Sequence, residues 1–250
     1  MERSQENHTL NPKESTVRAE KPKDAVEGIG HEETIYNFRF SEDEDATRRV
    51  TWRVLCSEFL QQFVSPKDTV VDIGAGDGNF LLNIQAGRKI AVDLSAQVQS
   101  LRDRGIEIVQ APATELSSYI HDKVDVVFMS NFLEHLPERR LVLEVLEASK
   151  SILKKGGRVM ILQPNIRYVG PAYWDYIDHH IALTEHSLQE ALEVTGFKVE
   201  RMIPRFRPYT AKSKVGHVVG RRGDWLVRMY LRMPLLWKIF GQQTFVVARI

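Results

Sequence analysis

A single cysteine, Cys56, stands in the 250-residue chain, so an internal disulfide framework is impossible and a four-thiolate zinc site is excluded. No stretch approaches the roughly 20 consecutive apolar residues that a spanning helix needs. The opening MERSQENHTLNPKEST has no apolar core, which speaks against a conventional secretory signal. Together these absences predict a cytoplasmic protein. Acidic side chains are also missing from one end. Residues 201–250 hold eleven Lys and Arg against Asp224 alone, a surplus of ten, while residues 1–200 hold 23 basic and 32 acidic residues. The near-neutral total of +1 hides that asymmetry, which suggests that the C-terminal part meets something anionic.

What is present reads in sequence order. Residues 1–33 are polar, charge-mixed and nearly free of large apolar side chains, which predicts a disordered tail. Within 34–66, Ser41 and Glu44 form a capping-box pattern. Val50, Val54, Leu55, Phe59, Leu60, Phe63 and Val64 then recur near helical spacing up to Pro66. In the segment 67–203, TVVDI (69–73), RKIAVD (88–93), IEIVQ (106–110), VDVVFMS (124–130), RVMILQP (158–164) and FKVERMI (197–203) read as strands. Helices are expected over NFLLNIQA, Ser95 to Arg104, Glu138 to Leu153 and Thr184 to Thr195. QTFVVARI (243–250) reads as a last strand. Strands without polar alternation, separated by helices, indicate a mostly parallel sheet covered on both faces. The fold class is therefore α/β, a Rossmann-like doubly wound sheet of seven strands. An antiparallel strand closes the chain, and a helical insertion, 204–242, precedes it.

The sharpest motif is VVDIGAGDGNF (70–80), with Gly74, Gly76 and Gly78 directly after a buried strand. Glycines at that edge let the backbone approach a ligand, and the next helix presents its amides there. Asp93, at the end of the second strand, is placed to accept two ribose hydroxyls. Asn79 stands where a dinucleotide fingerprint needs a small residue, which disfavours a nicotinamide oxidoreductase, and no Gly-Lys-Ser/Thr follows to make a P-loop.

On these residues the chain resembles the class I S-adenosylmethionine-dependent methyltransferases, in their small-molecule and lipid branch, over roughly 68–203 and the final strand. The resemblance implies S-adenosyl-L-methionine as cofactor, cradled by Asp72, Gly74, Ala75, Gly76 and Gly78 and gripped at the ribose by Asp93, with Leu94 beside it. Pro112 stands where the family usually carries an acid near the adenine, so Ala113 and Thr114 are read as backbone contacts. SNFLEHLP (130–137) looks like the family's cofactor- and substrate-facing turn, bringing in Asn131, Phe132 and His135. A non-catalytic binding protein on the same fold is the alternative that Pro112 favours.

Methyl transfer to a neutral oxygen needs a base. YWDYIDHHIALTEHS (173–187) follows the fifth strand, and His180, His179 and His135 are the candidates, with Tyr173, Trp174, Asp178 and His186 facing the acceptor. Asp178 with two histidines would also suit a divalent ion, but no regular ligand spacing supports it, and no metal is expected. The insertion combines Arg228 and Arg232, four residues apart, with Trp225, Leu235, Leu236, Trp237, Ile239 and Phe240. That composition suits a lid over a small-molecule or lipid-linked acceptor, with peripheral contact at the inner membrane face through 221–240, or a buried cap or dimer surface. Nucleic acid ranks last, because the basic residues accompany a nearly continuous apolar helix.

Overall fold

The sheet takes its order from where the apolar runs must be covered. The computed structural model describes residues 42–208 and 215–250, with side chains from 46 to 208 and from 223 onward. The expected tail, the Ser41 and Glu44 capping box, and the side chains of Lys212, Lys214, Arg221 and Arg222 lie outside the described residues. Seven strands run in the order β3-β2-β1-β4-β5-β7-β6. They are β1 (Thr69–Ile73), β2 (Arg88–Val92), β3 (Glu107–Val109), β4 (Val124–Ser130), β5 (Leu153–Pro164), β6 (Lys198–Arg207) and β7 (Gln243–Arg249). β1 to β5 pair in parallel, and β7 enters antiparallel between β5 and β6.

Both sheet faces are dry, which is why the strand sequences lack polar alternation. Val71 and Ile73 of β1 join Val127 and Met129 of β4 in one core layer. There they meet Leu116 of helix α3 (Leu116–Tyr119), Val142, Val145 and Leu146 of α4 (Arg139–Ile152) and, beyond the short α5 (Ile166–Val169), Leu188 and Leu192 of α6 (Glu185–Val194). The alternate residues Val70, Val126 and Phe128 face the other layer, with Trp52, Leu55 and Phe59 of α1 (Glu42–Glu58) and Phe80 and Leu81 of α2 (Asn79–Asn83). Cys56 lies in that layer with its thiol near the Phe80 carbonyl, and burial pushes its pKa upward, so it is packing rather than chemistry.

Several boundaries differ from the sequence reading, among them β5, which begins at Leu153 rather than Arg158, and α2, which stops at Asn83. The helix expected to reach Pro66 ends at Glu58, and a 3₁₀ turn covers Leu60–Phe63. Gln62 Nε2 donates to the Phe59 carbonyl released at the break, at 2.7 Å. Ser95 to Arg104 is also 3₁₀, over Ala96–Arg104 and capped by Ser95, with Val98 and Leu101 as its buried residues. β6 runs on to Arg207 instead of stopping at Ile203. Pro204 cannot donate to the ladder, so the register shifts there and pairing resumes at Arg207 opposite Gln243.

The insertion leaves the carboxyl end of β6 and returns to the sheet at Gln243, on the sheet edge that carries the glycine loop. It forms α7 (Val215–Arg232) and α8 (Pro234–Phe240), split at Pro234 as expected from a missing amide. α8 anchors through Trp237, whose ring meets Phe59 and Phe206 edge-on and whose Nε1 donates to the Tyr230 carbonyl. Among the described residues, no helix is long and apolar enough to cross a membrane.

Candidate active site

The glycine loop leaves β1 in left-handed backbone. Gly74, Gly76 and Gly78 have φ of +70°, +52° and +71°, values that L side chains rarely adopt. Only one of the three faces open space. A Cβ on Gly74 would sit 2.6 Å from the Phe132 ring, and one on Gly78 would sit 2.6 Å from Leu101. A Cβ on Gly76 would meet nothing within 4 Å. Gly74 and Gly78 are thus small because protein packs on them, whereas Gly76 opens a hollow. The amides of Gly74 and Ala75 donate to the Val92 carbonyl at 2.9 and 3.3 Å, fixing the loop against β2.

Asp93 follows β2 and holds the hollow's wall. Its Oδ2 accepts from the Gly76 amide at 2.7 Å and its Oδ1 from the Ser95 amide at 2.8 Å. A carboxylate has about four lone-pair sites, so each oxygen keeps acceptor capacity beyond the backbone bond that orients it. Asp72 is buried at the end of β1, and burial, with Asp93 and Asp77 adding to it, pushes its pKa well above the usual carboxyl range. Arg48 of α1 clamps the loop from outside through Asp77 at 2.7 Å.

A second cluster lies beyond β4. Asn131, the non-glycine residue among those described with positive φ, turns the chain at +49° and accepts from Gln243 Nε2 at 2.8 Å. The Glu134 carbonyl then accepts from the amides of His180 and Ile181 at 2.8 and 3.1 Å, drawing the 173–187 segment onto this turn. His135 Nδ1 lies 3.0 Å from the Asp178 carbonyl oxygen and 3.3 Å from its Oδ2. His179 Nδ1 lies 2.8 Å from the Tyr173 carbonyl oxygen, and the two imidazole centroids are 5.1 Å apart. Glu134 is 2% exposed, and burial, opposed by His135, pushes its carboxyl up to about 7.

A family model described as a methyltransferase domain matches residues 45–201, more than half of the chain. The chain belongs to the methyltransferase-domain family. Its cofactor is S-adenosylmethionine. No curated protein matches the chain. The fold is similar to that of an S-adenosylmethionine-dependent methyltransferase from Archaeoglobus fulgidus (TM-score 0.57, 22% identity, covering 81% of this chain and 94% of that one). It is also similar to a Haloferax volcanii methyltransferase solved in complex with the activator Trm112 (TM-score 0.58, 18% identity, 93% and 99% covered). A geranyl diphosphate methyltransferase solved with its cofactor is a further match (TM-score 0.53, 17% identity, 78% and 84% covered).

The methyltransferase's residues suit that cofactor: the Gly76 hollow lacks the Cβ that would fill it, and Asp93 retains acceptor sites beside it. Leu94 is 45% exposed next to Asp93. Ala113 packs on the core, and the Pro112 carbonyl accepts from the Glu115 amide at 3.0 Å. Thr114 is half-buried in the same turn.

The expected acceptor residues divide. His135, His179 and Asp178 come together, while His180 is an exposed neighbour and Trp174 is 55% exposed. Tyr173 is fully buried, its hydroxyl donating to the Ile181 carbonyl, so it props the segment from inside and offers no wall to a ligand. His186 stands apart on the first turn of α6, 3.5 Å from Glu185. Sequence reasoning missed Glu134. It also missed the Arg48–Asp77 clamp and Asn165, whose Nδ2 donates to Glu185 Oε2 at 2.7 Å and Thr244 Oγ1 at 2.9 Å, tying β5 to α6 and β7.

Asp72 supplies a test in the methyltransferase's own stability. A carboxyl whose folded pKa is raised favours the protonated form, so its stabilising effect is present below the unfolded pKa of about 3.9 and is lost as pH rises through the folded value. Asp72→Asn should therefore raise the melting temperature of the cofactor-free protein at pH 8, with the gain shrinking toward pH 4, while S-adenosylmethionine binds more weakly. Thermal unfolding across that range checks it, and an equal gain at every pH would refute the burial argument.

Proposed function

We propose that the methyltransferase transfers a methyl group to a small amphiphilic or lipid-linked acceptor, with the insertion as a lid over the acceptor site and peripheral contact at the inner membrane face. S-adenosylmethionine supplies, when bound, a methyl on a sulfonium; its transfer to the acceptor's nucleophile leaves S-adenosylhomocysteine and releases the nucleophile's proton. Gly76 would admit the cofactor closely, Asp93 would hold its ribose hydroxyls, and Asp72 would stand beside the loop that cradles it. His180, exposed beside the turn that carries His135, takes the acceptor's proton. Water is kept from the transfer by the insertion and the 173–187 segment.

The observation that carries this reading is the exposed apolar surface of the insertion, whose two ends join the sheet at the edge that carries the glycine loop. Trp225, Leu235, Ile239 and Phe240 are between 56% and 71% exposed, and Met233 lies among them at 44%. Single exposed apolar residues are ordinary, but five within sixteen positions of two consecutive helices leave more apolar surface than the fold itself needs exposed, which supports an apolar acceptor. The basic residues support the membrane contact less. Arg228 and Arg232 both pair with Glu58, and Arg205 donates to the Gly241 and Ile239 carbonyls, so part of the positive surplus is spent inside the molecule.

Mass spectrometry of lipid and metabolite extracts, incubated with the protein and its cofactor, tests the reading. A methyl-heavier product in the lipid-soluble fraction is expected, and it should diminish when Leu235, Ile239 and Phe240 are replaced by Ser. Product confined to polar metabolites and untouched by those changes would refute the amphiphilic acceptor.

A further inference from the structure

The cluster beyond β4 has a feature that acceptor positioning alone leaves unexplained. Glu134 is 2% exposed, and neither carboxylate oxygen has a hydrogen-bond partner. A buried carboxylate without donors is costly, since desolvation is uncompensated. Its main-chain carbonyl is fully used by His180 and Ile181, so the backbone holds the side chain where it is. Two imidazoles lie close by. One ligand atom from each of Glu134, His135 and His179 falls within 4.8 Å of the others.

The imidazoles are also set in the manner of metal ligands. His135 directs Nδ1 at the main-chain oxygen and carboxylate of Asp178, and His179 directs Nδ1 at the Tyr173 carbonyl. Those acceptors place the ring proton on Nδ1 in both residues and leave Nε2 the basic nitrogen. A histidine bound to a metal almost always donates its other N–H to a carboxylate or a carbonyl in this way, which fixes tautomer and ring direction. One buried carboxylate and two imidazoles so oriented suit a divalent transition ion of intermediate softness, such as zinc, manganese or iron, better than magnesium or calcium, which prefer all-oxygen sites.

We propose that Glu134, His135 and His179 form a binding site for one divalent transition-metal ion, oriented by Asp178 and the Tyr173 carbonyl. Three protein ligands leave coordination positions open, as catalytic rather than structural sites do. An ion there would take oxygen atoms of a ligand at the carboxyl end of β4. That this ligand is the methyl acceptor rests on the functional reading above; metal uptake by the three side chains does not.

The test is a calorimetric titration of the untagged, chelator-treated full chain with Zn²⁺, repeated with Mn²⁺. One-to-one binding is expected for at least one of the two. Glu134→Gln, which keeps the buried volume, and His135→Ala, on the half-exposed side, should each weaken it tenfold or more. Asp178→Asn should cost about 10–100-fold, the usual effect of losing an outer partner. His186→Ala, outside the cluster, should change nothing, and S-adenosylmethionine should bind all of these variants as it binds the wild type. Thermal unfolding confirms that each variant is folded, and should Glu134→Gln not fold, the His135 variant decides. No stoichiometric uptake of either ion, or equal weakening by His186→Ala, would overturn the proposal while leaving methyl transfer standing.

Discussion

Asp93→Ala should weaken S-adenosylmethionine binding about a hundredfold while the protein stays folded. A hydrogen bond to a charged group contributes about 1.5 kcal/mol or more, and two ribose hydroxyls on one carboxylate make about 3 kcal/mol, which at 1.4 kcal/mol per tenfold is two orders of magnitude. The fold should survive because Asp93 is outside the strand proper and only half-buried. Its loss frees the Gly76 and Ser95 amides at the edge of an open hollow, where water can take them. Asp93→Asn separates the two halves of the argument. The amide keeps the shape but turns one acceptor into a donor, facing either the Gly76 or the Ser95 amide, so it should bind the cofactor little better than the alanine variant. Calorimetry of both against the wild type reads the effect. Wild-type affinity in Asp93→Ala would remove the ribose from this carboxylate, and with it the assigned place of the cofactor.

The strands and the glycine loop were legible because each is dictated by local physics. TVVDI and VDVVFMS are apolar on alternate residues toward both faces, and only a covered sheet satisfies such a run. Gly74, Gly76 and Asp93 declare themselves by spacing. The insertion of β7 between β5 and β6 is less legible from chain order, since QTFVVARI has the composition of any buried strand. The helix limits failed where a few side chains decided them, as with Gln62 at the Phe59 carbonyl and Pro204 inside β6.

The structure brings together 130–137 and 173–187, the segments expected on the acceptor side, and adds Glu134 to them. A histidine pair beside aromatics marks 173–187, but sequence says nothing of which ring turns inward. Packing buries His179 and Tyr173 and leaves His180 and His186 outside. Glu134 was passed over because a glutamate in a turn is usually solvated. Its burial comes from two amides of a segment more than forty residues away closing on its carbonyl. The adjacent Glu134-His135, four residues past the end of β4, was the one signal available, and it acquires meaning only beside His179.

The three loop glycines share one backbone conformation and should nevertheless fail in different ways. Any side chain at positive φ costs about 1–2 kcal/mol. For Gly76→Ala that is the whole structural cost, because its Cβ would meet nothing within 4 Å. The same methyl occupies the hollow that the cofactor needs, so binding should be lost from a protein that melts only slightly early. Gly74→Ala adds a 2.6 Å contact with the Phe132 ring, and Phe132 is tethered between Asn131, whose amide donates to the Leu162 carbonyl, and the buried Leu133. Overpacking of that kind costs about 1–3 kcal/mol, so the total reaches about 2–5 kcal/mol. The variant should therefore lose stability and cofactor together. Thermal unfolding with and without S-adenosylmethionine distinguishes them: Gly76→Ala nearly as stable as the wild type but without the ligand-induced rise, Gly74→Ala unfolding well below both. If Gly76→Ala kept a full ligand-induced rise, the open side of the loop would not be where the cofactor approaches. The hollow would then have to be sought on the side where Phe132 already packs.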